Sequence, residues 1–135
     1  MFIIVADLHT LTTKPDKADL KDLRIRIREQ VLTYLAVGLD PKKVHIYQQS
    51  NIPEVCELAI IFSMLVSVSR LERVPTLKEQ MDNLHIQNPS LGLLAYPVLQ
   101  AADILMVRAN VVPVGADQLS HLEVTREIAG RFNNL

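Results

Sequence analysis

The sequence predicts an α/β protein built on a doubly wound parallel sheet. Three observations carry that expectation: apolar runs and helical stripes alternate as β-α-β-α-α-β-α, the opening run has no polar face, and a glycine turn joins the last predicted strand to the last helix. In an open sheet of this kind ligands collect beyond the carboxyl ends of the strands.

Phe2 to Ala6 is short, apolar and partly β-branched, as a strand buried on both faces would be. Asp7, Leu8, His9 and Thr10 follow at its carboxyl end, and Asp19 to Val37 reads as an amphipathic helix. Leu20, Leu23, Ile27, Val31 and Leu35 form its stripe, and Gly38 is its expected stop. Asp40-Pro41 makes a turn, and Val44 to Gln49 alternates weakly as a second strand.

Pro53, Glu54 and Glu57 suit the start of a helix running to about Leu65, apolar nearly all round and therefore buried or paired with another subunit. Cys56 on it reads as an inert core thiol. Arg70 to Asp82 is a charged helical segment whose Arg70, Arg73 and Lys78 read as a solvated face. Asn83 to Gly92 is the expected mobile loop, and an apolar helix follows from Leu93, kinked or started by Pro97. Val111 to Val114, broken by Pro113, is a third, irregular strand. Gly115 to Gln118 then opens a last helix with Leu119, Leu122, Ile128 and Phe132 as its core stripe. No repeat or linker interrupts the chain, so residues 1–135 read as part of one domain.

At 135 residues, 49% hydrophobic and 21% charged, the chain is long enough for a genuine core. A net charge of -1 argues against a chain-wide nucleic-acid footprint. One cysteine excludes a disulfide framework and a four-cysteine zinc site, which makes a reducing cytoplasm the simplest setting. No run approaches the roughly 18 apolar residues of a membrane helix, so no membrane is expected.

Two constellations bear chemistry. Asp103 is the one charge in the eleven residues from Pro97 to Val107, and burying a carboxylate without a partner costs several kcal/mol. Tyr96, Gln100 and Asp103 stand at i, i+4 and i+7, so a helix presents a phenol, an amide and a carboxylate on one face. Such a face either lines a polar-tipped pocket or holds the core by tertiary hydrogen bonds. In Gly115-Ala116-Asp117-Gln118 the glycine lets a ligand approach backbone N–H groups at the helix's positive end, while Asp117 serves the ligand or simply caps the helix. His9, His45, His85 and His121 lack metal-site spacing and read as structural or solvated, so no protein-bound metal is expected.

The stretches YPVLQAADIL and VVPVGADQLSHLEVTREIAGRFN, with IVADLHTLT, YLAVGLDPKKVHIYQQSNIPE and LERVPTLKEQ before them, resemble the catalytic domain of bacterial tryptophanyl-tRNA synthetases, class I enzymes with a Rossmann fold. The resemblance covers essentially the whole chain. It implies activation of tryptophan with ATP and Mg2+ to tryptophanyl-adenylate, transfer to tRNA(Trp), and a homodimer. By resemblance Asp103 receives the indole N–H, Tyr96 and Gln118 hold the substrate's amino end, Gln100 lines the pocket, and Val112 and Val114 pack on the ring. Gly115 and Asp117 match the part of the turn that meets the ribose, and His9 lies close to the same pocket. Indole N–H is a donor only, which suits a carboxylate in an apolar slot.

Gln100 stands where many relatives have Met, and Gln in that region is also a habit of tyrosyl enzymes. Ala116 replaces an acid common in that turn. The HIGH-like and KMSKS motifs that bind ATP in class I synthetases are absent from these residues. The expectation is therefore a central piece of the catalytic domain, inactive alone, carrying the tryptophan pocket and part of the ribose site. A tyrosyl enzyme and a non-catalytic amino-acid- or nucleotide-binding domain are the alternatives.

Overall fold

The β-prone opening residues form strand β1, Phe2–Val5, in a computed structural model that describes residues 1–13, 20–83 and 85–135. Its described residues divide into two units, Met1–Pro53 and Glu54–Leu135, each built around its own contacts.

In the first unit β1 pairs in parallel with β2, His45–Gln48, in the register Phe2 to His45 through Val5 to Gln48. Burial deepens along β1 instead of covering both faces throughout: Val5 is buried, whereas Phe2 is exposed and stacks on the His45 ring with centroids 5.1 Å apart. Helix α1, Asp7–Thr13, begins directly at the carboxyl end of β1. Helix α2, Leu23–Ala36, carries Leu23, Ile27 and Val31 as a half-buried stripe, with Tyr34 in the place expected for the exposed Leu35. The predicted start at Asp19 lies outside the described residues. Gly38, at φ 97°, ends the helix as expected, with Leu39 N–H donating to Tyr34 O and Gly38 N–H to Leu35 O.

The carboxyl ends of the two strands are tied by Asp7, which is buried. Gln48 Nε2 donates to its Oδ2 at 2.7 Å and Ser50 N–H to its Oδ1 at 3.0 Å, while the fully buried Gln49 accepts from Leu8 N–H at 3.1 Å. Burial alone would raise the Asp7 carboxyl, but the hydrogen bonds from Ser50 and Gln48 outweigh it and hold the group below its ordinary value. A carboxylate lowered in this way contributes stability that is present above the unfolded value and lost as pH falls through the folded one. Asp7→Asn is therefore expected to cost about 1–3 kcal/mol at neutral pH, a difference that shrinks toward about pH 3. Urea unfolding followed by circular dichroism at both pH values checks it; an equal cost at both would remove the carboxylate from the account.

The second unit is helical: α3, Glu54–Ser63; α4, Val68–Leu71; α5, Pro75–Asn83; α6, Leu91–Met106; and α7, Leu119–Asn133. Helix α6 is its axis and packs against both α3 and α7. Ala101 and Ala102, fully buried, leave room for that close approach. Ser90 caps α6 by accepting from Leu93 N–H at 3.1 Å, so the helix starts before Leu93 and takes Gly92 into its first turn. Pro97 lies inside the helix rather than at its start.

Several expectations are corrected here. Val111 to Val114 has no hydrogen-bonded partner strand among the described residues; Pro113 lacks an N–H to offer one, and Val111 is 82% exposed. On α3 only Val55 and Phe62 are buried, two turns apart on one face, which leaves Cys56 exposed instead of in the core. Arg70 is not merely solvated: its Nε and Nη2 grip the Glu127 carboxylate, the closest contact being 2.7 Å. On α7 the buried residues are His121, Val124, Thr125 and Ile128, while Leu119 and Phe132 are exposed. Phe132 nonetheless meets Phe62 edge to face at 5.6 Å.

Among the described residues no helix is long and apolar enough to cross a membrane.

Candidate functional site

An apolar helix wound at 3.6 residues per turn places Tyr96, Gln100 and Asp103 along one face, and α6 does so. Tyr96 and Asp103 are buried, at 9% and 8% exposure, and Gln100 is half-buried between them. The acid is thus held in an apolar helix with its side chain largely withdrawn from water, the condition under which a carboxylate must be answered by donors.

Facing Gln100 is the turn that precedes α7. Gly115 is extended, and Ala116–Gln118 form a single 3-10 turn that leads into Leu119. Gln118 is shared across the turn: its Oε1 accepts from Gln100 Nε2 at 3.4 Å, a long contact, and its Nε2 donates to Asp117 Oδ2 at 2.5 Å. The Asp117 carboxylate in turn folds back over Gly115, where a Cβ would stand 2.5 Å from its Oδ1. Glycine here is a matter of space, not of unusual dihedrals: any side chain would push the carboxylate off the turn. The capping alternative for Asp117 finds no support, since no side-chain cap bond is made at this helix start.

Tyr96 points to a second cluster. Its Oη lies 2.8 Å from Nε2 of His121, and Thr76 Oγ1 lies 3.1 Å from the same nitrogen. The Tyr96 and His121 rings sit 5.2 Å apart, tilted by 53°. His121 is 1% exposed. Burial pushes the Tyr96 phenol above its ordinary value, opposed by a side-chain hydrogen bond with Thr76.

Val112 is half-buried and lines a cleft of about 360 Å³ with Leu105, Leu122, Thr125 and Arg126, a cleft to which Tyr96, Gln100 and Asp103 do not contribute. Val114 is exposed. His9 belongs to the first unit, half-buried on α1, with its carbonyl accepting from Thr12 Oγ1 at 2.7 Å. Asp117 also borders a cleft of about 300 Å³ with Thr76, Glu79, Ser120 and Glu123. Among the described residues no group of three or more His, Cys, Asp or Glu is placed to hold a metal ion.

Sequence reasoning read His121 only as structural or solvated and passed over Thr76. The available signal was position: His121 stands three residues before Val124 and seven before Ile128, on the buried side of α7.

The chain matches, over residues 1–135, the family model of tRNA synthetases class I (W and Y). Tryptophan–tRNA ligase of Treponema pallidum is 56% identical over 134 residues, covering 99% of this chain and 40% of that protein. The corresponding ligase of Borreliella burgdorferi is 54% identical, again over 99% of this chain and 38% of its own length. Among solved structures, tryptophanyl-tRNA synthetase from Campylobacter jejuni, complexed with ADP and tryptophan, superposes with a TM-score of 0.90 at 36% identity, covering 99% of this chain and 40% of that one. The chain therefore spans about 40% of the length of these relatives. Its helical units and small parallel sheet match the Rossmann-like fold of class I synthetases. This chain belongs to the class I tRNA synthetases of the tryptophan and tyrosine group.

Proposed function

We propose that these residues carry the tryptophan pocket and part of the ribose site of a tryptophan–tRNA ligase, and that both units belong to its catalytic domain. The observation that carries this is the α6 face, where Asp103 is buried in an otherwise apolar helix in line with Tyr96 and Gln100. Asp103 accepts the indole N–H, the one polar group of the tryptophan side chain and a donor only. Tyr96 and Gln118 meet the ammonium end, Gln100 lines the wall between, and Val112 and Val114 flank the ring. ATP, entering with Mg2+ as a substrate, meets Gly115 and Asp117, whose carboxylate is a natural acceptor for ribose hydroxyls.

Catalysis in this reading is mostly positioning. The pocket fixes the tryptophan carboxylate so that it can attack the α-phosphate of ATP and displace pyrophosphate, and tRNA(Trp) then takes the activated acyl group. A cytoplasmic homodimer completes the proposal, supported by a single cysteine and by exposed Ile60, Met64 and Val68 on the second unit. The identity of the relatives, tryptophan–tRNA ligases at 54% and 56%, favours this over a tyrosyl enzyme or a non-catalytic binder.

The sequence contains no tryptophan, so the ligand's own fluorescence reports binding without background. Titration is expected to show saturable tryptophan binding, with tyrosine and phenylalanine weaker by about a hundredfold or more as competitors. Equal or stronger competition by tyrosine would overturn the assignment.

A further inference from the structure

Resting on the reading just given, in which tRNA is a substrate, we propose that the face of α2 carrying Lys21, Arg24 and Arg28 docks the sugar-phosphate backbone of that RNA. All three side chains are exposed. Arg24 and Arg28 stand one turn apart on α2, which has no buried residue. Asp22 ahead of the helix keeps a right-handed backbone, φ -95° and ψ -2°, and its carbonyl accepts from Arg26 N–H at 3.0 Å, so Lys21 extends the same row.

The row is unneutralised by design of the sequence. Residues three or four places apart are neighbours on a helix. For Arg24 these are Leu20, Lys21, Ile27 and Arg28; for Arg28 they are Arg24, Ile25, Val31 and Leu32. No acid is among them. The two acids of this stretch, Asp22 and Glu29, stand at those spacings from Arg26 instead, and each follows a basic residue of the row by one place, about 100° round the helix from it. No hydrogen bond or ion pair ties Lys21, Arg24 or Arg28 to another described residue. Like charges at these spacings repel one another, and a polyanion laid along the row relieves the repulsion.

The dimensions suit a strand of phosphates rather than a single anion. From Lys21 to Arg28 the row runs about 10 Å along the helix axis, which spans about three charges of one strand of a duplex. In a chain of net charge -1 such a row is a local footprint, one that orients the RNA instead of attracting it from every side. Ile25 and Leu32, both exposed, border the row, so an anionic lipid surface is the competing occupant. The RNA substrate of the proposed reaction favours the nucleic acid.

Binding of the full chain to tRNA(Trp) over a series of salt concentrations tests the assignment. The variants are Arg24→Gln with Arg28→Gln, Arg24→Lys with Arg28→Lys, and, as a control in the same unit, Lys43→Gln, whose amine pairs with Asp40 at 3.8 Å. The glutamine pair is expected to weaken binding about five- to twentyfold at low salt and to lower the slope of log K against log salt by about 2; the lysine pair and the control are expected to keep the wild-type slope. A non-cognate tRNA is expected to lose the same factor, because phosphate contacts carry no sequence information. The melting temperature is expected to hold or rise in the glutamine pair, since the repulsion is gone.

An unchanged slope in the glutamine pair, an equal loss in Lys43→Gln, or a lowered melting temperature would overturn the proposal. So would variants that lose binding to phosphatidylserine vesicles while keeping tRNA, which would give the face to a lipid surface. Wild type that binds tryptophan but no tRNA overturns this proposal alone; wild type that binds no tryptophan overturns the earlier reading.

Discussion

Asp103→Ala is expected to weaken tryptophan binding by roughly ten- to a hundredfold while leaving phenylalanine nearly unchanged, so that the preference between them collapses. The reason is an asymmetry in what each ligand brings to the proposed pocket. Tryptophan adds an indole N–H to the donors around the buried carboxylate, a charge-assisted hydrogen bond shielded from water at 8% exposure. Phenylalanine has no such donor to add. With alanine that bond is lost to tryptophan alone. Competitive titration against tryptophan fluorescence measures the ratio directly, and a ratio that survives the substitution would show that the acid does not read the indole.

The second large effect lies in the core. Ile128→Ala removes a fully buried side chain from α7, the helix that packs on α6, and is expected to cost about 2–4 kcal/mol, lowering the melting temperature by roughly 10–20 °C. Leu119→Ala, on a position that periodicity alone assigns to the same stripe, is expected to cost under about 0.5 kcal/mol because Leu119 is 55% exposed. Thermal unfolding of the two variants side by side decides which face of α7 is inward. Comparable losses would contradict the orientation found here.

That contrast shows where sequence reasoning reaches and where it stops. The chain's elements were legible from periodicity and from Gly38, whose positive φ only a flexible residue adopts without cost. The alignment of Tyr96, Gln100 and Asp103 followed from helical arithmetic alone. The inner face of α7 did not, because His121 and Thr125 are polar, and a pattern of apolar residues cannot register a polar side chain that is buried by virtue of its hydrogen bonds. Val111 to Val114 looked like a strand by composition, yet strand formation depends on a neighbour that local sequence does not specify.

Helix ends were hidden for a different reason. Helices α5 and α6 close with the same paired bonds that Gly38 makes for α2, but with His85 at φ 52° and Arg108 at φ 50° in the left-handed position. Non-glycine residues take that conformation at a cost of about 1 kcal/mol, and no composition rule marks them as stops.

The single amide of Gln118 gives the molecule a constraint on how it can change. One end of that amide faces Gln100 and the other holds the carboxylate that lies over Gly115. A replacement at position 100 that turns the amide over would present Asp117 with an oxygen where it now has a donor, and so disturb a turn that the side chain at 100 never reaches. Altering the side chain at 100 and preserving the turn at Gly115 are therefore not independent problems in this protein: a lineage or an engineer changing residue 100 must choose a side chain that leaves the amide facing the same way.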